Sequence, residues 1–147
     1  MSTMTAQTTQ VYSIFIRATR EQIWDAITKP EFTAKYFYGS LVEITDDAWV
    51  GRFADGSVGV TGRMIEHEPP HRLVHGWRAL YDPDTANEDE SRVTWEIEGQ
   101  DGGYSKLTVV HDRLERSPKT AESVAGGWSY VLSGLKTLLE TGRPLAG

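Results

Sequence analysis

The sequence predicts an α+β fold in which a curved, seven-stranded antiparallel sheet wraps around one long C-terminal helix. Three observations carry that expectation. A strand-like segment near the N-terminus is followed at once by two short helical signals. Six further extended segments then follow one another from residue 41 to residue 112 with only turn residues between them. Beyond residue 117, apolar residues recur at helical spacing up to a glycine stop.

Taken in order, Gln10 to Arg17 alternates and is rich in β-branched and aromatic residues, which predicts the first strand. Thr19-Arg20-Glu21-Gln22 has the form of a capping box, with a Thr hydroxyl for the N3 amide and a Gln that reaches back. Ile23, Trp24 and Ile27 fall on one helical face, and Pro30 ends that helix because the residue before a proline avoids the α region. A second short helix is expected over Glu31 to Tyr36. Extended segments follow at Leu41 to Thr45, Ala48 to Phe53, Val58 to Glu66, Arg72 to Leu80, Arg92 to Glu98 and Ser105 to Asp112. Short links such as Asp55-Gly56, Pro69-Pro70 and Asp101-Gly102-Gly103 favour an antiparallel meander. Gly56, Gly59 and Gly62 are not followed by a helix start, so they mark sheet curvature rather than a phosphate loop.

Ser117-Pro118 supplies an N-cap and N1 pair. Val124, Trp128, Val131, Leu132, Leu135, Leu138 and Leu139 then trace one face of a helix over about residues 119–141, roughly 33 Å long at about 1.5 Å per residue. Gly142 and Pro144 end it. Gly126-Gly127 inside this helix costs about 1 kcal/mol per glycine relative to alanine. A close approach of the helix to the sheet is the compensation the sequence suggests.

Composition narrows the function classes. The 147 residues, 39% hydrophobic and 24% charged, fit one domain over residues 10–147 preceded by a disordered tail, residues 1–9. The polar N-terminus lacks the apolar core of a signal peptide, and no run approaches the ~18 apolar residues of a membrane span. With no cysteine, thiol catalysis, disulfides and thiolate metal sites are excluded, and a cytoplasmic location is expected. The net charge of −6 and the scattered basic residues argue against nucleic acid.

No metal or other cofactor is expected. His67, His71 and His75 are spaced for a helix that Pro69-Pro70 forbids. The acidic run Asp82 to Glu90 lacks the glycine and glutamate that an EF-hand loop places at its sixth and twelfth positions, so it reads as a solvated loop. No Ser-His-Asp, Walker or dinucleotide pattern is present.

Several segments together resemble a known family. Ala18-Thr19-Arg20-Glu21-Gln22-Ile23-Trp24-Asp25-Ala26-Ile27-Thr28-Lys29-Pro30 is similar to the opening of the activator-of-Hsp90-ATPase-homologue-like group within the START/Bet v 1-like superfamily. Gly62-Arg63-Met64-Ile65-Glu66, Pro69-Pro70-His71-Arg72-Leu73-Val74 with Trp77, Val93-Thr94-Trp95-Glu96-Ile97, Lys106-Leu107-Thr108-Val109-Val110-His111 and Gly126-Gly127-Trp128 fit the same group. The resemblance runs from about Val11 to Thr141 and implies the helix-grip fold. That superfamily includes lipid and hormone binders, polyketide cyclases and aromatases, so fold alone does not choose among functions.

A strongly twisted sheet and a straight helix touch at their ends and part in the middle, which predicts a cavity between the sheet and residues 124 to 139. Strand alternation and helical spacing turn Met64, His75, Trp77, Trp95, Val109, His111, Trp128, Leu132 and Leu135 toward it. His75 and His111 are either polar handles for a ligand oxygen, proton shuttles, or core histidines satisfied by neighbours. Tyr36, Tyr38 and Tyr81 are candidate entrance residues. Asp112 cannot easily assist His111, since alternation sends it to the opposite face. The leading expectation is binding of a small hydrophobic or aromatic molecule without catalysis. The alternatives are a cyclase or aromatase using His111 or His75, and a chaperone-associated interaction module using the acidic face. A protein partner or homodimer is compatible with any of them.

Overall fold

The computed structural model describes residues 7–146; residues 1–6 of the expected tail lie outside the described residues. The elements follow the chain as β1 (Gln10–Ile16), α1 (Arg20–Thr28), α2 (Pro30–Tyr36), β2 (Leu41–Ile44), β3 (Ala48–Arg52), β4 (Val58–Glu68) and β5 (Arg72–Ala79). After these come α3 (Pro83–Ala86), β6 (Ser91–Gln100), β7 (Tyr104–Asp112), α4 (Pro118–Ala125) and α5 (Gly127–Thr141). The seven strands form one antiparallel sheet in the order β1-β7-β6-β5-β4-β3-β2. β1 and β2 therefore sit at opposite edges, and α1 and α2 carry the chain between them. This is the helix-grip arrangement.

Local chemistry explains most boundaries. Thr19 Oγ1 accepts from the Gln22 N–H at 3.1 Å while Gln22 Oε1 accepts from the Thr19 N–H at 2.8 Å, so the capping box at α1 is complete. Sheet curvature has two visible causes. Pairing shifts register between Gly51 and Arg52 against β4, and again between Met64 and Glu66 against β5. Between these irregularities, Gly62 lies so close to β5 that a Cβ there would collide with the Gly76 carbonyl.

The C-terminal helix departs from expectation in two ways. It is not continuous: Gly126 separates α4 from α5. The Gly126-Gly127 pair also does not press on the sheet, because a Cβ on Gly126 would meet open space and one on Gly127 would meet only the Tyr38 ring and hydroxyl. The close approach occurs at Gly134, where a Cβ would lie 3.1 Å from the Cβ of Tyr36 in α2. Glycine pairs are poor helix formers, and here they break the helix.

Ser117 and Pro118 stand at the predicted N-cap and N1 positions, but the Ser117 hydroxyl donates to the Asp89 carbonyl at 2.7 Å and does not cap. Glu88 takes that role. Its carboxylate accepts from the Lys119 N–H at 2.9 Å, the Thr120 N–H at 2.7 Å and the Thr120 hydroxyl at 2.8 Å. The acidic loop is thus partly structural rather than wholly solvated. It contains α3, Asp89 pairs with Arg116, and Glu90 pairs with Arg63.

Candidate functional site: an aromatic cleft

Phe37, the residue that ends α2, sits at the centre of a buried aromatic cluster. Its ring centroid lies 5.9–6.4 Å from those of Trp49 on β3, Trp77 on β5, Trp95 on β6 and Trp128 on α5. Alternation on the strands turns all three sheet tryptophans to the concave face. Rings at such separations add edge and stacking attraction to their area burial.

Two histidines are built into this cluster, and both are fully used. His75 Nδ1–H donates to the Gly76 carbonyl at 2.7 Å, and Nε2 accepts from Trp95 Nε1–H at 3.0 Å. Its ring also stacks on Trp49 at 4.3 Å. His111 takes the opposite tautomer. Nδ1 accepts from Trp128 Nε1–H at 3.0 Å, and Nε2–H donates to the Ser91 hydroxyl at 2.7 Å. Ser91 in turn donates to the Trp77 carbonyl at 3.3 Å. Burial pushes the His75 imidazole down to about 4. Burial and the neighbouring His75 push His111 down to about 3, so both rings are neutral near pH 7. Asp112 is engaged elsewhere, in a two-bond pair with Arg92.

The open space lies to one side of this core. A cleft of about 370 Å³ separates the α4–α5 junction from the sheet. Ser123, Val124, Gly127, Trp128 and Val131 form its helical wall. Val60 and Trp77 from the sheet, with Phe37, Ser40 and Phe53 from the connecting segments, form the other. No lining residue carries a formal charge.

Its rim is aromatic and solvent-facing. Tyr38, 63% exposed, stacks on Tyr130 at 5.1 Å, and Phe53 meets Tyr81 edge-on at 6.3 Å. Burial, followed by the phenols of Tyr130 and Tyr81, raises the Tyr38 hydroxyl above its usual range. Tyr38 is also held at φ 51°, a left-handed conformation that costs a non-glycine residue about 1 kcal/mol or more.

Of the residues singled out from sequence, the structure brings Trp77, Trp128, Tyr38 and Tyr81 to the cleft. It places His75, Trp95, Val109, His111, Leu132 and Leu135 in the sealed core, and Met64 half-buried at the core's edge. Tyr36 is not at an entrance; it is buried, with its hydroxyl donating to the Ala26 carbonyl at 2.7 Å. The cavity is shorter than the span 124 to 139, because Leu132, Leu135 and Leu138 fill the remainder of the sheet–helix interface.

Phe37, Phe53, Ser123 and Tyr130 were missed. Phe37 and Phe53 lie just past the ends of α2 and β3, and Ser123 and Tyr130 lie on exposed faces of α4 and α5, where apolar periodicity carries no signal. The three spaced histidines also disperse: His67 packs edge-on against Trp24, His71 meets Arg20 at 3.0 Å, and His75 enters the core. Among the described residues no group of three metal-ligating side chains gathers.

A seven-stranded antiparallel sheet gripping a C-terminal helix is the fold of the START/Bet v 1-like class. Within it, the chain belongs to the family described as Activator of Hsp90 ATPase homolog 1-like protein, whose model matches residues 17–140. Solved structures agree on the fold. DynU16, encoded in the dynemicin biosynthetic locus, superposes with a TM-score of 0.73 at 23% identity. That match covers 94% of this chain and 49% of DynU16, so this chain spans about half the length of that relative. PFC0360w, an HSP90 activator from Plasmodium falciparum, gives 0.72 at 21% identity, covering 94% of this chain and 99% of that one. The Aha1 dimer from Colwellia psychrerythraea gives 0.72 at 16% identity, with 93% and 99% covered. At these identities the likeness establishes the fold alone. No curated protein matches the sequence.

Proposed function

We propose that this protein binds a small, uncharged, aromatic molecule in the cleft between β4–β5 and the α4–α5 junction, and that it does so without catalysis. The observation that carries the reading is the cleft itself, about 370 Å³ of space walled by Phe37, Trp77, Trp128 and aliphatic side chains with no charged group. That volume falls in the range of small-molecule sites, about 300–1,000 Å³. The exposed tyrosines at the rim suit a flat ring entering edge-first.

Catalysis of the cyclase kind needs a proton donor or acceptor within reach of the bound molecule. Both ring nitrogens of His75 and of His111 are occupied, both rings are neutral, and neither lines the cleft. No carboxylate lines it either. Among the described residues no helix is long and apolar enough to cross a membrane.

The test uses N-phenyl-1-naphthylamine, an uncharged fluorescent probe. Saturable binding at one probe per chain is expected, and Val124→Trp, which fills the cleft from α4, should abolish it while leaving a cooperative unfolding transition. Non-saturable binding, or a Val124→Trp variant that binds as well as the parent, would remove the cleft as the site.

A further inference from the structure

Gly126 and Gly127 stand where nothing in the packing requires a glycine. Every other described glycine has a positive φ, a neighbour that a Cβ would crowd or, at Gly51, a place beside a register shift. Gly126 has right-handed helical dihedrals, φ −92° and ψ −20°, and Gly127 begins α5. A Cβ on Gly126 would meet open space, and one on Gly127 would make ordinary contact, 3.6 Å from the Tyr38 hydroxyl oxygen. Alanine fits at both positions and would favour helix about fivefold at each. What two glycines supply here, and two alanines would not, is backbone freedom.

The way α4 is attached suits a moving part. Its buried apolar residues are only Ala121 and Val124, whereas α5 buries Trp128, Val131, Leu132, Leu135 and Leu138. Hydrogen bonds hold α4 instead. Glu88 accepts from its first turn, the Gln10 amide donates to the Ala121 carbonyl at 3.0 Å, and the Tyr12 hydroxyl donates to the Ala125 carbonyl at 3.0 Å. Such bonds are exchanged for bonds to water when α4 swings away, and little apolar surface is uncovered. The cleft has a use for that motion. Phe37, Trp77 and Trp128 of its inner wall are no more than 7% exposed, and Val124 of α4 lines the same space. A ligand that packs on those rings displaces the wall that α4 supplies. Resting on the reading of the cleft as a binding site, we propose that α4 is its lid: α4 turns about Gly126–Gly127 to open the cleft and is latched at its far end by the Glu88 carboxylate.

Amide hydrogen exchange and stopped-flow mixing with N-phenyl-1-naphthylamine test this together. In the parent, the amides of α4 should exchange as a group, about tenfold or more faster than the buried amides of α5. Gly126→Ala adds a methyl group that touches neither the cleft lining nor a neighbour. It should slow exchange across α4 and cut both the association and the dissociation rate of the probe about three- to fivefold, leaving Kd within about twofold. Glu88→Gln, which weakens the latch, should speed exchange across α4 and raise both rates, dissociation more than association. Probe rates unchanged within about 1.5-fold in both variants, or α4 amides that exchange only together with those of α5, overturn the lid and leave the cleft reading standing. Absence of saturable probe binding removes the cleft reading and the lid's role together, even where α4 exchanges on its own.

Discussion

Along the second half of α5 the helix lies directly on its neighbours, with Leu132, Leu135 and Leu138 buried and Gly134 pressed against Tyr36. Around Trp128 and the α4 junction, the same groove holds a cleft instead. Apolar side chains supply both regions, so hydrophobicity does not distinguish them. Completeness does. Behind Trp95, each buried ring nitrogen of His75 has its partner and the helix glycine is filled by another backbone's side chain. At the cleft, the helix is broken at Gly126, and the glycines meet open space or only Tyr38. Packing that is finished gives stability; packing left unfinished gives a place to bind.

The largest expected effect tests the finished side. Trp95→Ala should cost about 3–5 kcal/mol, with up to roughly 1 kcal/mol more because His75 Nε2 loses its donor. Urea unfolding measures it, and naphthylamine binding by the folded protein should be unchanged. A cost under about 2 kcal/mol would mean that this region also has slack, and the contrast would fail.

Next in size is acid sensitivity. In the unfolded chain each histidine titrates near 6.5. Folded, burial holds His75 near 4 and, with the help of His75, His111 near 3. The unfolded state therefore binds protons that the folded state refuses, and stability falls as pH drops from about 6.5 toward the folded values. The slope is about 1.4 kcal/mol per pH unit for each histidine. Urea midpoints measured from pH 7.5 to 4.5 should be flat at first and then fall steeply below about 6.5. A flat profile down to pH 5 would show that the histidines are not sealed as described.

Periodicity made the strands and the two short helices legible, because a half-buried strand or helix must repeat its apolar residues. Short links made the meander of β2 to β7 legible, but the pairing of β1 with β7 leaves no local signal. Periodicity also turned Trp77 and Trp128 inward. The same logic could not separate cleft from core, since an inward residue looks alike whether its neighbour is a side chain or a void. His75 and His111 illustrate this: alternation pointed them inward, but only the three-dimensional positions of Trp95, Trp128, Gly76 and Ser91 show both rings saturated. Glu88 was hidden for a different reason. Its partners, Lys119 and Thr120, are about thirty residues away, and a cap supplied across that separation leaves no local signature.

Glu88→Gln sharpens the comparison at smaller cost. The change weakens the cap of α4, whose Ser123 and Val124 belong to the cleft wall, and should destabilise the protein by about 1 kcal/mol. Partial burial pushes the Glu88 carboxyl up, but hydrogen bonds from the Lys119 and Thr120 N–H groups and the Thr120 hydroxyl outweigh it and hold the group below its usual range. Its contribution is therefore present above the ordinary carboxylate pKa and is lost as pH falls through the depressed folded value. The parent and Glu88→Gln stability curves should thus converge below about pH 4, after the histidine loss has run most of its course. Parallel curves through that range would mean that Glu88 does not clamp α4 through its charge. Weaker naphthylamine binding is expected in the variant at neutral pH.

The smallest stability effect belongs to the rim, where Tyr38→Gly sets two opposing terms against each other. Glycine adopts φ 51° freely, which relieves about 1 kcal/mol or more of backbone strain. Loss of the stack on Tyr130 removes a comparable amount, about 0.5–1.5 kcal/mol. The variant should therefore unfold within about 0.5 kcal/mol of the parent, as an exposed position would suggest. Binding should respond differently, because an aromatic face is taken away from the mouth of the cleft while the walls stay intact. A roughly three- to tenfold loss of naphthylamine affinity is expected from the loss of one ring contact. Unchanged affinity would place the ligand wholly inside the walls, away from the tyrosine rim. A stability loss above about 2 kcal/mol would instead show that Tyr38 holds the α4–α5 junction in place, through the ring that covers Gly127.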